Sequence, residues 1–177
     1  MDAPRITTDR LILRAQTLAD FEAAHAAGQD ERVHRFIGGL LSRAAAWEKF
    51  LRGPGFWAIL GYGLWTIEER ASGAYVGQIG FGRFEREMDP PLPDIPEGAW
   101  VFGPDFHGKG YGGEALAAAL RWADAELNSA LCCIIAPQNE PSLRLAARYG
   151  FAETRRADYH GSETVVLERP APVGSTG

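Results

Sequence analysis

An apolar run, Ala99-Trp100-Val101-Phe102, and a helix-forming stretch from Glu114 to Leu127 flank the segment Gly103-Pro104-Asp105-Phe106-His107-Gly108-Lys109-Gly110-Tyr111-Gly112-Gly113. Five glycines, one lysine and one histidine share that segment. Glycine reaches left-handed backbone and lets another molecule approach the main chain. A glycine-rich turn that opens a helix offers amide donors outside the helical ladder, where the helix dipole favours an anion. Residues 107–113 therefore read as a phosphate cradle. Lys49 and Lys109 are the only lysines, so one of the two stands in this loop.

Two nucleotide patterns come close to claiming it. Gly103-x-x-x-x-Gly108-Lys109 matches seven positions of a P-loop, but the eighth is Gly110, where a Ser or Thr hydroxyl should hold magnesium. Pro104 also removes a donor from that cradle. Gly108-x-Gly110-x-x-Gly113 fits the dinucleotide fingerprint. However, Cys133 stands about where the acidic ribose ligand belongs, and the loop falls late in the chain rather than in a first βαβ unit.

The elements that position the loop follow from periodicity. Thr8 to Arg14 alternates polar and apolar residues, as a strand near a sheet edge does. Thr17-Leu18-Ala19-Asp20 has the form of a capping box, predicting a helix to about Gly28 with Leu18, Phe21 and Ala24 inward. Ser42 caps a second helix through Arg52, with Trp47, Phe50 and Leu51 on its apolar side, and Gly53-Pro54-Gly55 is expected to stop it. Leu64 to Glu68 and Ala74 to Phe84 form a hairpin about Ala71-Ser72-Gly73. Gly77, Gly80 and Gly82 weaken its second strand unless something packs close to the backbone. The stretch from Glu85 to Pro96 carries four prolines and is a loop. Helix 112–127 buries Leu116, Leu120, Ala123 and Leu127, and Leu131 to Ala136 is a central strand. Asn139 caps a third major helix with Pro141 in its first turn, and Gly150-Phe151 ends it. Ala152–Arg156 and Thr164–Glu168 form a last strand pair, and residues 170–177 a flexible tail.

The chain's 177 residues are 46% hydrophobic, and the net charge is −5. That length and composition fit a single domain over residues 1–177. A negative balance argues against nucleic acid as a partner. No apolar run reaches membrane-span length and no signal segment opens the chain, so the expected setting is the cytoplasm without a membrane partner. Cys132 and Cys133 are neighbours on a strand and point to opposite faces, so they suit neither a disulfide nor a shared metal.

The loop and its surroundings resemble the GCN5-related N-acetyltransferase (GNAT) superfamily. His107-x-x-Gly110-x-Gly112 is similar to that family's motif A, Gln/Arg-x-x-Gly-x-Gly/Ala. Thr8-Asp9-Arg10-Leu11-Ile12-Leu13-Arg14 resembles the opening of its RimJ/RimL-like branch, which acetylates ribosomal protein N-termini. Gly77-x-x-Gly80 resembles the third family strand and Glu97-Gly98-Ala99-Trp100 the start of the fourth. Asn139-x-x-Ser142 with Tyr149-Gly150-Phe151 resembles motif B. These landmarks keep the family's order across residues 8–168.

The resemblance implies an α/β fold: a bent mixed sheet of six or seven strands, about four helices, and family strands four and five splayed around acetyl-CoA. It implies no metal. Trp100, Val101 and Phe102 would lend main chain to pantetheine and to the oxyanion. His107, Gly108, Lys109, Gly110, Tyr111, Gly112 and Gly113 would hold pyrophosphate. Glu97 would take the proton of the amine acceptor, Ser142 would protonate the leaving thiolate, and Asn139 would hold the pantetheine region. Here the chain departs from the pattern twice: His107 replaces Gln or Arg, and Ala146 stands where many members have the acidic Tyr. The acceptor is a protein N-terminus or a small amine, in a pocket around the first two helices, the proline-rich loop and the last strand pair. A homodimer is compatible. The alternative is a non-catalytic acyl-CoA sensor or interaction domain on the same fold.

Overall fold

The structure, a computed structural model, describes residues 3–173. In chain order the elements are β1 (Ile6–Thr7), β2 (Leu11–Arg14), α1 (Phe21–Gln29), α2 (Glu31–His34), α3 (Arg43–Leu60), β3 (Leu64–Glu69), β4 (Tyr75–Gly82), β5 (Glu97–Phe102), α4 (Tyr111–Glu126), β6 (Leu131–Ile135), α5 (Glu140–Arg148), β7 (Ala152–Tyr159) and β8 (Ser162–Arg169). The strands form one sheet of eight in the order β1-β2-β3-β4-β5-β6-β8-β7. This is the expected mixed α/β fold, with more strands than the six or seven anticipated. Part of the excess is β1, whose Ile6 and Thr7 pair with Leu13 and Ile12. The tail expected at 170–177 lies partly outside the described residues. Among those described, no helix is long and apolar enough to cross a membrane.

The chain divides into two compact units: Met1–Gly82 with Ala99–Ala118, and Arg83–Gly98 with Ala119–Gly177. In the first, β2, β3 and β4 form an antiparallel set around Leu11, Leu13, Trp65, Ile67 and Val76, all fully buried. The glycine in β4 meets its expected neighbour: a Cβ at Gly77 would stand 2.1 Å from the Val101 carbonyl oxygen.

Two helical expectations need correction. The Thr17–Asp20 box forms, but it caps a 3₁₀ turn over Leu18–Asp20, which leaves Leu18 exposed and puts Phe21 in the core. Asp20 is buried because it also receives both terminal nitrogens of Arg14, at 2.9 and 2.8 Å.

Helix α3 does not stop at Gly53-Pro54-Gly55; it runs to Leu60 and ends on left-handed Gly61. Proline breaks helices chiefly by removing one amide and orphaning the carbonyl four residues back. That carbonyl is Phe50's, and the Gln16 side-chain amide donates to it at 2.7 Å. The far half is anchored by buried Trp57, packed edge-on to Trp65 at 4.8 Å, with its indole N–H donating to the Leu64 carbonyl at 3.0 Å. Leu51, expected on the apolar side, is half exposed.

In the second unit β6 pairs with β8 and β8 with β7, both antiparallel; β7 and β8 run longer than expected, and β6 ends one residue early at Ile135. Glu97 of β5 pairs in parallel with Cys132 of β6. Helix α5 ends as a Schellman motif: the Phe151 amide donates to Ala146 O at 3.1 Å and the Gly150 amide to Ala147 O at 3.2 Å, with Phe151 buried.

Candidate active site

In the first unit, β5 hands the chain to a 3₁₀ turn at Pro104–Phe106 and then to the glycine loop. Gly108 and Gly110 have φ of +74° and +79°, a conformation costly to any residue with a Cβ. Left-handed residues interspersed with ordinary ones turn successive amides toward one concave side and make an anion nest. The α4 ladder begins with the Glu114 amide donating to Gly110 O at 3.3 Å. The amides of Tyr111 and Gly112 therefore precede it at the positive end of the dipole.

The chain's N-terminal segment fixes this loop. Glu114 Oε1 accepts from the Thr8 hydroxyl at 2.6 Å and the Arg10 amide at 2.8 Å, and its Oε2 accepts from Arg10 Nε at 2.7 Å. Arg10 Nη1 donates to the Lys109 carbonyl at 2.9 Å, and the guanidinium lies over the Tyr111 ring. Burial pushes the Glu114 carboxyl up, but the donors from Thr8 and Arg10 outweigh it and hold the group below its ordinary value. Tyr111 itself donates to Glu69. Sequence reasoning placed Thr8 and Arg10 on a strand and missed this role. The available signal was the acidic first-turn residue of α4, which wants donors as well as the dipole.

His107 and Lys109 are oriented by neighbours within the loop. His107 Nε2 lies 2.9 Å from the Phe102 carbonyl, so that nitrogen carries the proton and donates it, tying the loop to the end of β5. Lys109 Nζ stands 5.1 Å from the centre of the Phe106 ring.

The same unit holds a cavity of about 100 Å³ between α1, α2, α3 and β4, reaching Val101 on β5. Its apolar walls include Phe21, Val33, Ile37, Leu41 and Phe50.

In the second unit the carboxylate of Glu97 is buried at 4% exposure, which rules out a solvated turn. Arg86, from the proline-rich segment, grips it: Nε donates at 2.7 and 2.8 Å to the two oxygens, and Nη2 lies 2.7 Å from Oε1. Arg86 Nη1 also donates to the Tyr159 hydroxyl at 3.0 Å, and its guanidinium packs on the Phe84 and Tyr159 rings. Burial pushes the Glu97 carboxyl above its ordinary value of 4.5, while the hydrogen bonds and charge of Arg86 pull part of the way back. Neither Arg86 nor Tyr159 was singled out from sequence.

Asn139 Oδ1 accepts the Ser142 amide at 3.3 Å, the expected N-cap of α5, and Ser142 sits in the first helical turn. Ala146 is fully buried on the same helix. Cys132 and Cys133 are free, and burial pushes the Cys132 thiol to about 12 and the Cys133 thiol up as well, so both stay protonated and inert. Of the residues expected to act, 100–102 and 107–113 thus belong to the first unit; Glu97, Asn139 and Ser142 belong to the second.

The sequence model described as an acetyltransferase (GNAT) domain matches residues 10–152. This chain belongs to the GNAT acetyltransferase family. Among solved structures, a GnaT-family acetyltransferase from Bordetella pertussis is similar at 31% identity, over 94% of this chain and 99% of that one, with a TM-score of 0.83. An acetyltransferase from Agrobacterium tumefaciens is similar at 29% identity, over 95% of each chain, with a TM-score of 0.82. RimL, a ribosomal L7/L12 alpha-N-protein acetyltransferase solved in complex with coenzyme A, shares the fold at 15% identity, with a TM-score of 0.76 over 95% of this chain and 98% of its own. A GNAT chain is an acetyltransferase by family.

Proposed function

We propose that this GNAT chain moves the acetyl group of acetyl-CoA directly to a primary amine in a ternary complex, as a single acetyltransferase domain with its core at about 8–168. The observation that carries the reading is the nest at Gly108–Gly113: left-handed glycines, first-turn amides and the α4 dipole converge on an anion, and Arg10 holds the loop to that shape. A pyrophosphate fits that donor set. Gly108, Gly110, Tyr111, Gly112 and Gly113 offer main-chain amides, Lys109 adds a mobile positive charge, and His107 secures the loop to Phe102. Trp100 and Phe102 lend main chain to the pantetheine arm, and an amide at Val101 or Phe102 donates to the oxyanion that develops on the thioester.

The C–N bond forms as the C–S bond breaks. The excess proton on nitrogen passes through water to Glu97, and the thiolate leaves with a proton passed through the Ser142 hydroxyl, with Asn139 holding the turn that presents it. Glu97 suits a base because burial lifts its proton affinity, while the hydrogen bonds and charge of Arg86 pull part of the way back. Arg86 satisfies both oxygens yet leaves Oε2 with a lone pair for the proton. The cavity against Val101 is the acceptor pocket. No metal takes part, and the expected setting is the cytoplasm.

Calorimetry with acetyl-CoA and a thiol-release assay over a panel of amines test the reading. Micromolar acetyl-CoA binding with amine-dependent thiol release is the expected result. Absence of binding overturns it.

A further inference from the structure

Alternate residues of β7 hold the proline-rich segment that carries Arg86. Arg155 Nη2 donates to the Pro91 carbonyl at 2.7 Å. Ala157 packs with Met88 and Val166 in a buried cluster joined by Leu92 and Ile134. The Tyr159 hydroxyl accepts from Arg86 Nη1 at 3.0 Å. Residues two apart on a strand share a face, so 155, 157 and 159 meet the segment in succession. A backbone bridge between Asp89 and Asp158 adds a main-chain tie. Apart from that bridge, residues 83–96 are irregular, so these anchors set their course.

Of the three side-chain anchors, Tyr159 is the one that meets the partner of Glu97. The Arg86 guanidinium is a planar, rigid fork of donors. Nε and Nη2 face the Glu97 carboxylate, and Nη1 faces Tyr159. The Tyr159 and Phe84 ring centres lie 5.3 and 4.9 Å from the guanidinium carbon. A fork held at one end pivots about that end. Held at both, its plane is fixed, and so is the direction from which it meets the carboxylate.

We infer that Tyr159 is a positioning residue of the acetyl transfer: its hydroxyl fixes the plane of Arg86, and through that plane the grip of Arg86 on the Glu97 carboxylate. The inference rests on Glu97 being the base. The other titratable groups around Glu97 are the Cys132 thiol of β6, its cross-strand partner, and Glu168 of β8, which pairs with Cys132 in turn. Burial pushes that thiol up to about 12, so it stays protonated and adds no charge near neutral pH. Exposed His160 packs against the Tyr159 ring, with centroids 4.2 Å apart. Arg86 pulls the Glu97 carboxyl down against the effect of burial, so a loosened Arg86 lets it rise.

The test uses Tyr159→Phe, which keeps the ring and removes the hydroxyl. Arg155→Met is the control, because it loosens the same segment away from Arg86. Glu97 is titrated by infrared spectroscopy through its carboxyl stretch, assigned as the band lost in Glu97→Gln. The acidic limb of kcat/KM is followed in the thiol-release assay. In Tyr159→Phe the Glu97 titration is expected to rise by about 0.5 pH unit, roughly threefold in proton affinity, and the limb to move up with it. Arg155→Met is expected to unfold at lower urea and to leave both in place. A titration that stays or falls in Tyr159→Phe overturns the inference and leaves the acetyltransferase standing. An equal rise in Arg155→Met does the same, because any loosening of the segment then suffices. A titration that rises while the limb stays overturns Glu97 as the base, and with it the part of Tyr159 in the transfer.

Discussion

The glycine loop of the first unit and the Arg86–Glu97–Tyr159 cluster of the second are built on opposite principles. The loop is exposed, and its working groups are main-chain amides aimed by two left-handed glycines and a helix start. The cluster is buried, and its working groups are side chains whose geometry comes from one guanidinium held between a carboxylate and a phenol. A backbone site is set by local conformation and tolerates change in the side chains around it. A buried charge cluster is set by partners distant in sequence, and losing one leaves the other uncompensated.

That contrast can be sharpened by four substitutions. Glu97→Gln should lower kcat by about 10²–10⁴-fold, the usual weight of a general base, while acetyl-CoA affinity measured by calorimetry holds. A loss of affinity equal to the loss of rate would erase the distinction between the two regions. Arg86→Met should cost about 3–5 kcal/mol in urea unfolding, because Glu97 is left buried and unpaired. It also carries a pH signature. Arg86 lowers the Glu97 pKa, so its removal raises it; a base works only when ionised, so the acidic limb of kcat/KM should move to higher pH. A limb that stays in place, or moves down, would separate Glu97 from the rate. Gly110→Val should weaken acetyl-CoA roughly 10–100-fold, through one lost or misaimed charge-assisted hydrogen bond, with little change in the pH limb. Arg10→Ala is the mildest. The side chain is about half exposed, so less than ~1 kcal/mol and about fivefold in affinity are expected, read by calorimetry.

The same contrast explains what the sequence made legible. Glycines between a strand and a helix announce a main-chain anion site, and the hairpin, the Asn139 cap and the Gly150-Phe151 ending were read because each is a short-range pattern. Glu97 was singled out through a four-residue resemblance, but its partner Arg86 lies in a segment that reads only as a proline-rich loop. Tyr159 lies 73 positions from Arg86. No periodicity links them; burial of one charge selects the other. The expected stop at Pro54 failed for a related reason. The rule that proline ends a helix assumes that nothing else satisfies the orphaned carbonyl, and Gln16, 34 positions upstream of Phe50, does. Leu18 was turned outward by the 3₁₀ turn, which a helical wheel drawn on the wrong segment does not show.

That glutamine also receives the Gln78 side-chain amide on its own oxygen at 2.6 Å. Gln78 and Phe50 both line the cavity between α1, α2, α3 and β4, and the two are joined by a chain of two hydrogen bonds through a third residue. The gap between floor and wall is thus gauged by the length of one glutamine side chain, much as a spacer sets the opening of a vice. Shortening the spacer by one methylene, as in Gln16→Asn, resets the opening without touching the lining. This gives the chain a route to a differently sized cavity that leaves every lining side chain in place.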